Sequence, residues 1–212
     1  MKIKVVGIDP ALSNLGIATA IVDLDDPENY EVYDLKLAQT EDGKIERLKK
    51  SREGKVTKVR ELPKGVSVGS DDLRRAKILS AAFHEAVKDA DLVIAEIPIG
   101  SQSSRAMTSY GVSLGLLGTC PKPLIEVSPS AAKLAGCNDI TATKHEMIEA
   151  ATALFPNAPW LRAKTKRKTE KEYPIINDNE HLADACFIIR AGIRTEAFAE
   201  YVEQLKNGQL LH

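Results

Sequence analysis

The chain has 212 residues, of which 43% are hydrophobic and 28% charged, with a formal net charge of −1. A chain of this size and make-up buries roughly 70% of its unfolded surface, so disorder, collagen and coiled coil are excluded as global descriptions, and no disulfide or metal staple is required for folding. No apolar run approaches the ~18 residues of a membrane span, Met1-Lys2-Ile3-Lys4 opens no signal-peptide pattern, and Cys120, Cys137 and Cys186 lack CxxC spacing; the expectation is a cytoplasmic protein with no membrane partner, no disulfide framework and no zinc ribbon.

Residues 3–9 are mostly apolar and β-branched and read as a buried strand. A short turn at 10–14 leads to a second strand over 15–22, and residues 30–38 alternate with period two, as a half-exposed third strand does. These three predict an antiparallel meander. Residues 39–69 have no clean period, contain Gly43, Gly54, Gly65, Gly69 and Pro63, and read as a long basic loop or a flexible hairpin. Ser70 is placed to cap a helix over 71–89 that turns Leu73, Ala76, Leu79, Phe83 and Ala86 inward. A short strand over 92–97 ends at Pro98. A helix over 103–118 carries Met107, Tyr110, Leu114 and Leu117 on one side; the stripe reads as core or, because Gly111, Gly115 and Gly118 permit close packing, as a dimer contact.

Residues 124–127 make a fifth strand. Ser128-Pro129 pairs a cap with proline at the first helical position. Thr143-Lys144-His145-Glu146 has capping-box spacing and opens a helix that stops before Pro156. Asp178 or Asn179 is placed to cap a helix over 179–193, and a further helix covers about 196–206. No repeat, low-complexity segment or second core is visible. The expected architecture is a single α/β domain over 1–212: a mixed five-stranded sheet, an antiparallel trio plus parallel strands, flanked by helices.

The net charge conceals a division. Residues 44–77 carry +7, residues 162–171 carry +5, and the remainder carries −13. Two basic segments on an acidic body, an insertion at about 39–69 and a loop at about 157–177, point to a polyanion.

Three places carry candidate chemistry. Asp9 ends the first strand before Pro10, which holds it extended. Glu96 lies at the end of Val93-Ile94-Ala95. Both acids follow runs expected to be buried, where a carboxylate is costly unless paired, hydrogen-bonded or bound to a metal. On the 179–193 helix, His181 and Asp184 are three apart, and Glu180 and Asp184 four apart. Each has an ordinary explanation alone: Asp9 can cap the turn through Ser13 or Asn14, Glu96 can pair with a lysine, and acids suit first helical turns. They converge if strands one and four are neighbours and the helix covers their ends. Such a set, Asp9, Glu96, His181 and Asp184 with Glu180 beside them, suits Mg²⁺ or Mn²⁺. Two ions about 3.5–4 Å apart would serve a phosphodiester displacement; His181 would alternatively orient or deprotonate the attacking water.

Val-Val-Gly-Ile-Asp-Pro-Ala-Leu-Ser-Asn-Leu-Gly-Ile-Ala (5–18) resembles the first hairpin of the RuvC-type Holliday-junction resolvases, within the RNase H-like superfamily. Leu-Val-Ile-Ala-Glu (92–96) resembles their second acidic strand, and His181-Leu-Ala-Asp184-Ala their closing helix. The resemblance implies an RNase H-like fold, metal-dependent nicking of four-way or related branched DNA, and a homodimer. It places Lys133 and Lys144 where family lysines contact DNA near the cut. Lys49, Lys50, Arg52, Lys166, Arg167 and Lys168, in the basic segments, complete the expected DNA contacts. Three departures stand out: Ala11 replaces a usual glycine, Ile99 stands where some members have a base-stacking aromatic, and the 39–69 segment is longer than the family's.

Two other readings of the same acids remain, a non-catalytic nucleic-acid-binding protein on this fold and a related-fold RNA nuclease. A sugar-kinase or actin-like ATPase is disfavoured, because that fold wants glycine where Ala11 stands and a second domain for which 212 residues are too few; no nucleotide cofactor is expected.

Overall fold

Alternation of side chains across a strand decides which residues of this chain meet which layer. The computed structural model describes residues 1–40, 46–50, 56–60, 62–100, 103–165 and 172–208, with the backbone alone for 46–50, 56–60 and 105. In chain order the elements are β1 (Lys2–Pro10), β2 (Asn14–Asp23), β3 (Asp26–Gln39), β4 (Glu46–Lys50), β5 (Val56–Arg60), α1 (Val68–Val87), β6 (Leu92–Glu96), α2 (Ser104–Leu117), β7 (Leu124–Val127), α3 (Pro129–Cys137), α4 (Lys144–Leu154), α5 (Glu180–Gly192) and α6 (Glu196–Lys206). Five strands form one sheet in the order β3-β2-β1-β6-β7. β1, β2 and β3 are the expected antiparallel meander, and β6 and β7 add in parallel beside β1. Among the described residues, no helix is long and apolar enough to cross a membrane.

Val5 on β1 shares one sheet face with Leu92 and Ile94 on β6, and this face packs against α5 with α3, α4 and α6 around it. Val6 and Ile8 share the other face with Val93 and Ala95, under α1 and α2. Ile8 pairs with Ala95, so the next residues, Asp9 and Glu96, belong to the α5 face at the C-terminal ends of neighbouring parallel strands. β1 and β6 are also where the strand order turns from one direction to the other, the place at which open α/β sheets leave a crevice.

α5 lies unusually close to the sheet. Leu182, Ala183 and the run from Ala185 to Ile189 are all buried. A Cβ on Gly7 would sit 2.3 Å from the Ala185 carbonyl oxygen, and one on Gly16 would sit 2.1 Å from that of His181. Only glycine fits at either position.

Three local expectations are corrected and a fourth is narrowed. The cap of α1 is Ser67, not Ser70: Ser67 Oγ accepts from the Ser70 N–H at 3.1 Å. The inward row of that helix is Asp71, Arg75, Leu79, Phe83 and Val87, while Leu73, expected inside, is 58% exposed. The Arg75 guanidinium fixes this rotation, with Nε donating to Thr40 Oγ1 at 2.9 Å and Nη2 to Ser13 Oγ at 2.6 Å. Neither Asp178 nor Asn179 caps α5 through its side chain; a single 3-10 turn at Asn177–Asn179 leads in instead. Asn179 is spent on the loop before it, donating to the Leu161 and Ile176 carbonyls at 2.7 and 2.8 Å and accepting from the Leu161 N–H at 2.9 Å. The α2 stripe is only partly core, since Leu117 is buried and Met107 is exposed.

The other caps stand as expected: Ser128 opens α3, with Pro129 in its first turn, and both hydrogen bonds of the Thr143–Glu146 capping box are present. Within 39–69 the chain forms the hairpin alternative, β4 pairing antiparallel with β5. The 157–177 loop is closed at its stem by an Arg162–Ile175 bridge.

Because backbone carbonyls block both glycine positions, Gly7→Ala and Gly16→Ala should each destabilise the fold by about 1–3 kcal/mol, lowering the melting midpoint by roughly 2–4 °C per kcal/mol. Thermal melts of the two variants check this; an unchanged midpoint would mean α5 does not sit so close in solution.

Candidate active site

The close approach of α5 sets its first turn over the ends of β1 and β6. Asp9, 8% exposed, reaches His181 directly: Oδ2 lies 2.6 Å from Nδ1. The other ring nitrogen, Nε2, lies 3.1 Å from Asn14 Nδ2, at the start of β2. Asn14 Oδ1 faces the Gln39 amide at 3.4 Å, which leaves the Asn14 amide nitrogen as donor. In this arrangement Nδ1–H donates to Asp9, and when the ring is neutral Nε2 accepts from Asn14, which selects the Nδ1–H tautomer.

The acids perturb one another. Glu96 is pushed up to about 8, first by burial and then by the Asp9 and Asp184 carboxylates, with Lys133 and His181 pulling the other way. Asp184 is pushed up to about 7 by burial, then by Asp9 and Glu180. His181 is raised by its hydrogen bond to Asp9, against the cost of its burial. The four predicted residues are therefore in one electrostatic neighbourhood, with Glu180 at its edge. Among the described residues, no three His, Cys, Asp or Glu side chains are already drawn together as a metal cluster; one Asp9 oxygen is engaged by His181. The donor chemistry nevertheless fits a hard divalent cation: the oxygens are carboxylate, and two of the acids give up their protons reluctantly because they are buried and stand close to other carboxylates.

Asp184 opens into a cleft of about 320 Å³ lined also by Lys133, Lys144, Glu180, Ala142, Thr143 and Met147. Lys133 Nζ donates to the Ala142 carbonyl at 2.9 Å, and Lys144 forms an ion pair with Glu180. Both lysines expected near a bound phosphate thus border the acids. Of the remaining predicted contacts, Lys49 and Lys50 lie on β4, where only the backbone is described, and Arg52, Lys166, Arg167 and Lys168 lie outside the described residues.

Asn14 and Gln39 are absent from the sequence-based candidates. Asn14 is visible there only as a turn residue, because nothing local says that a helix 167 positions later will set an imidazole against it. The signal that would have found it is Gly16, two residues on and paired with Asp9, marking where that helix touches β2.

No protein-family model matches the chain, and no curated protein does. Solved structures do. RuvC of T. thermophilus in complex with a Holliday junction substrate is similar over 95% of this chain and 96% of that one, with a TM-score of 0.56 at 16% identity. The yeast mitochondrial Holliday junction resolvase Ydc2 is similar over 97% of this chain and 86% of that one, with a TM-score of 0.52 at 12% identity. The chain has an RNase H-like fold of the RuvC type. Its departures from that type now have places. Ala11 closes the β1–β2 turn through its N–H to the Asn14 carbonyl at 3.0 Å, and Asn138 is the only non-glycine with positive φ among the described residues, so the RuvC-like turn needs no glycine here. Ile99 is 77% exposed just past β6.

Two outcomes follow for the cation-free protein. Glu96 and Asp184 bind protons more tightly folded than unfolded, so their protonated forms favour the fold and that advantage is lost as pH rises from about 4 through 7 and 8. The raised His181 adds stability below its unfolded value and loses it as pH rises through the folded one, in the same direction. Melting midpoints measured in EDTA should therefore fall from pH 5 to 8, and Glu96→Gln should flatten the fall; a midpoint rising across this window would refute the clustering. Asn14→Ala, which removes the Nε2 partner, should shift neutral His181 toward the Nε2–H tautomer, read by imidazole ¹⁵N chemical shifts; unchanged shifts would mean Asn14 does not set the tautomer.

Proposed function

We propose that this chain is a metal-dependent, structure-selective DNA endonuclease that nicks four-way or related branched junctions by phosphodiester hydrolysis. The observation that carries the reading is the convergence of Asp9, Glu96, Asp184 and His181 at the ends of β1 and β6, within a fold shared over nearly the whole chain with a resolvase solved on its junction.

Asp9, Glu96 and Asp184, with His181 and Glu180 at the margin, would hold Mg²⁺ or Mn²⁺. Divalent cations there would polarise the scissile phosphate and lower the proton affinity of the attacking water. The rest falls to the chain. Glu96 and Asp184 release their protons when positive charge arrives, which makes the carboxylates available as ligands. His181, held by Asp9 on one side and Asn14 on the other, orients the nucleophile or accepts its proton. Lys133 and Lys144 steady phosphates at the cleft. Two copies related by a two-fold axis would set two such sites on a pseudo-symmetric junction, and the reading places the protein in the cytoplasm with no nucleotide cofactor.

A second reading, a non-catalytic junction-binding protein, draws on the Asp9–His181 hydrogen bond, which occupies a ligand oxygen. Cleavage of an end-labelled four-way junction beside a matched linear duplex separates the two. With Mg²⁺, paired symmetry-related nicks should appear on the junction alone, and both EDTA and Asp9→Asn should abolish them. Junction binding without nicking in either Mg²⁺ or Mn²⁺ would overturn the nuclease reading.

A further inference from the structure

The β4–β5 hairpin stands outside the five-stranded sheet as a two-stranded sheet of its own. Its register has five rungs: Glu46 opposite Arg60, Arg47 opposite Val59, Leu48 opposite Lys58, Lys49 opposite Thr57 and Lys50 opposite Val56. Every rung carries one cation, and no cation stands opposite another. Like charges directly opposed across strands are destabilising, so this pattern holds the highest cation density the ladder permits without that cost. Neither face has an unbroken apolar set, and an isolated hairpin is marginal in water. The ribbon is thus made for a charged partner rather than for a core. Residues 46–60 hold seven Lys and Arg against two Glu, with no Asn, Gln or aromatic residue. The first two absences leave no amide for reading adenine, and the third leaves no platform for stacking single-stranded bases. A row of cations is suited above all to phosphate. Cations two residues apart on one face are spaced roughly 7 Å along the strand, and a two-stranded ribbon is narrow enough for the major groove.

The described chain before the insertion is anchored. Thr40, where β3 gives way to the insertion, is fully buried. Its hydroxyl donates to the Leu12 carbonyl at 2.7 Å and accepts from Arg75, and its carbonyl accepts from Arg74 Nη2 at 2.8 Å. Leu12 and Ser13 belong to the turn that follows Asp9. On the far side, the chain returns through Gly65, at φ +84°, to Ser67, the cap of α1.

We propose that β4–β5 is a phosphate-binding arm for a duplex limb of the DNA. The proposal rests on the nuclease reading for the identity of the polyanion. The test is a variant with Lys49→Gln, Lys50→Gln and Lys58→Gln, and a companion with arginine at the same three positions. Binding of a fluorescent four-way DNA junction, and of a linear DNA duplex, is followed by anisotropy in EDTA across a salt series. The glutamine variant should lose about tenfold or more in affinity for both DNAs at about 100 mM salt, and its log–log salt slope should become shallower by about 2–3, near 0.9 per lost phosphate contact. The arginine variant should keep the slope, and the melting midpoint should be unchanged in both. An unaltered slope, or a loss that arginine does not restore, would overturn the arm. No cleavage enters these measurements. A wild-type protein that binds steeply but never cuts therefore refutes the nuclease reading alone, and one that cuts while the glutamine variant keeps its slope refutes the arm alone.

Discussion

The contact between α5 and the strands beneath it governs the rest of this molecule. Gly7 and Gly16 remove the two side chains that would otherwise hold the helix off β1 and β2. The backbone carbonyls of His181 and Ala185 fill the space. With the helix down, Leu182, Ala185, Cys186 and Ile189 seal the sheet face, and the polar side of its first turn meets the strand ends. Raising the helix by even one methyl would separate His181 from Asp9, because the 2.6 Å hydrogen bond between them has no slack. Packing and chemistry are thus set by the same few atoms.

The site that results is electrostatically uncomfortable by construction. Acids at strand ends, with apolar layers behind them, are desolvated, and each raises the proton affinity of the next. A protein selected for stability alone would replace Glu96 with an apolar residue, as its position after Val93, Ile94 and Ala95 invites. Keeping the acid makes sense where its charge is used, which is the usual meaning of perturbed carboxylates in a crevice.

Much of this was legible in the sequence, and the parts that were not share a cause. The strands, five of the helix starts to within a residue or two, and the acids at the strand ends all follow from local signals: alternation, caps and apolar runs. The rotation of α1 does not, because Leu73 gives way to Asp71 and Arg75 on the strength of hydrogen bonds to Thr40 and Ser13, partners far away in the chain. Ser67 and Ser70 are both plausible caps by type, and only the backbone path out of the Gly65 turn chooses between them. Asn179 looks like a cap and is used as a clamp on Leu161. Asn14 escapes notice for the same reason: its partner is supplied by the tertiary fold.

The order in which the chain supplies its acids has a consequence for synthesis. Asp9 and Glu96 leave the ribosome early, and β1 and β6 can pair as soon as the crossover through α1 is complete. Nothing at their ends can act until residues 180–189 have emerged and docked on Gly7 and Gly16. Domains whose decisive contacts join distant stretches of chain form those contacts late. A nascent or truncated copy would thus carry the ends of β1 and β6 without the helix that completes the acid cluster, so whatever chemistry the cluster performs begins only once α5 has docked.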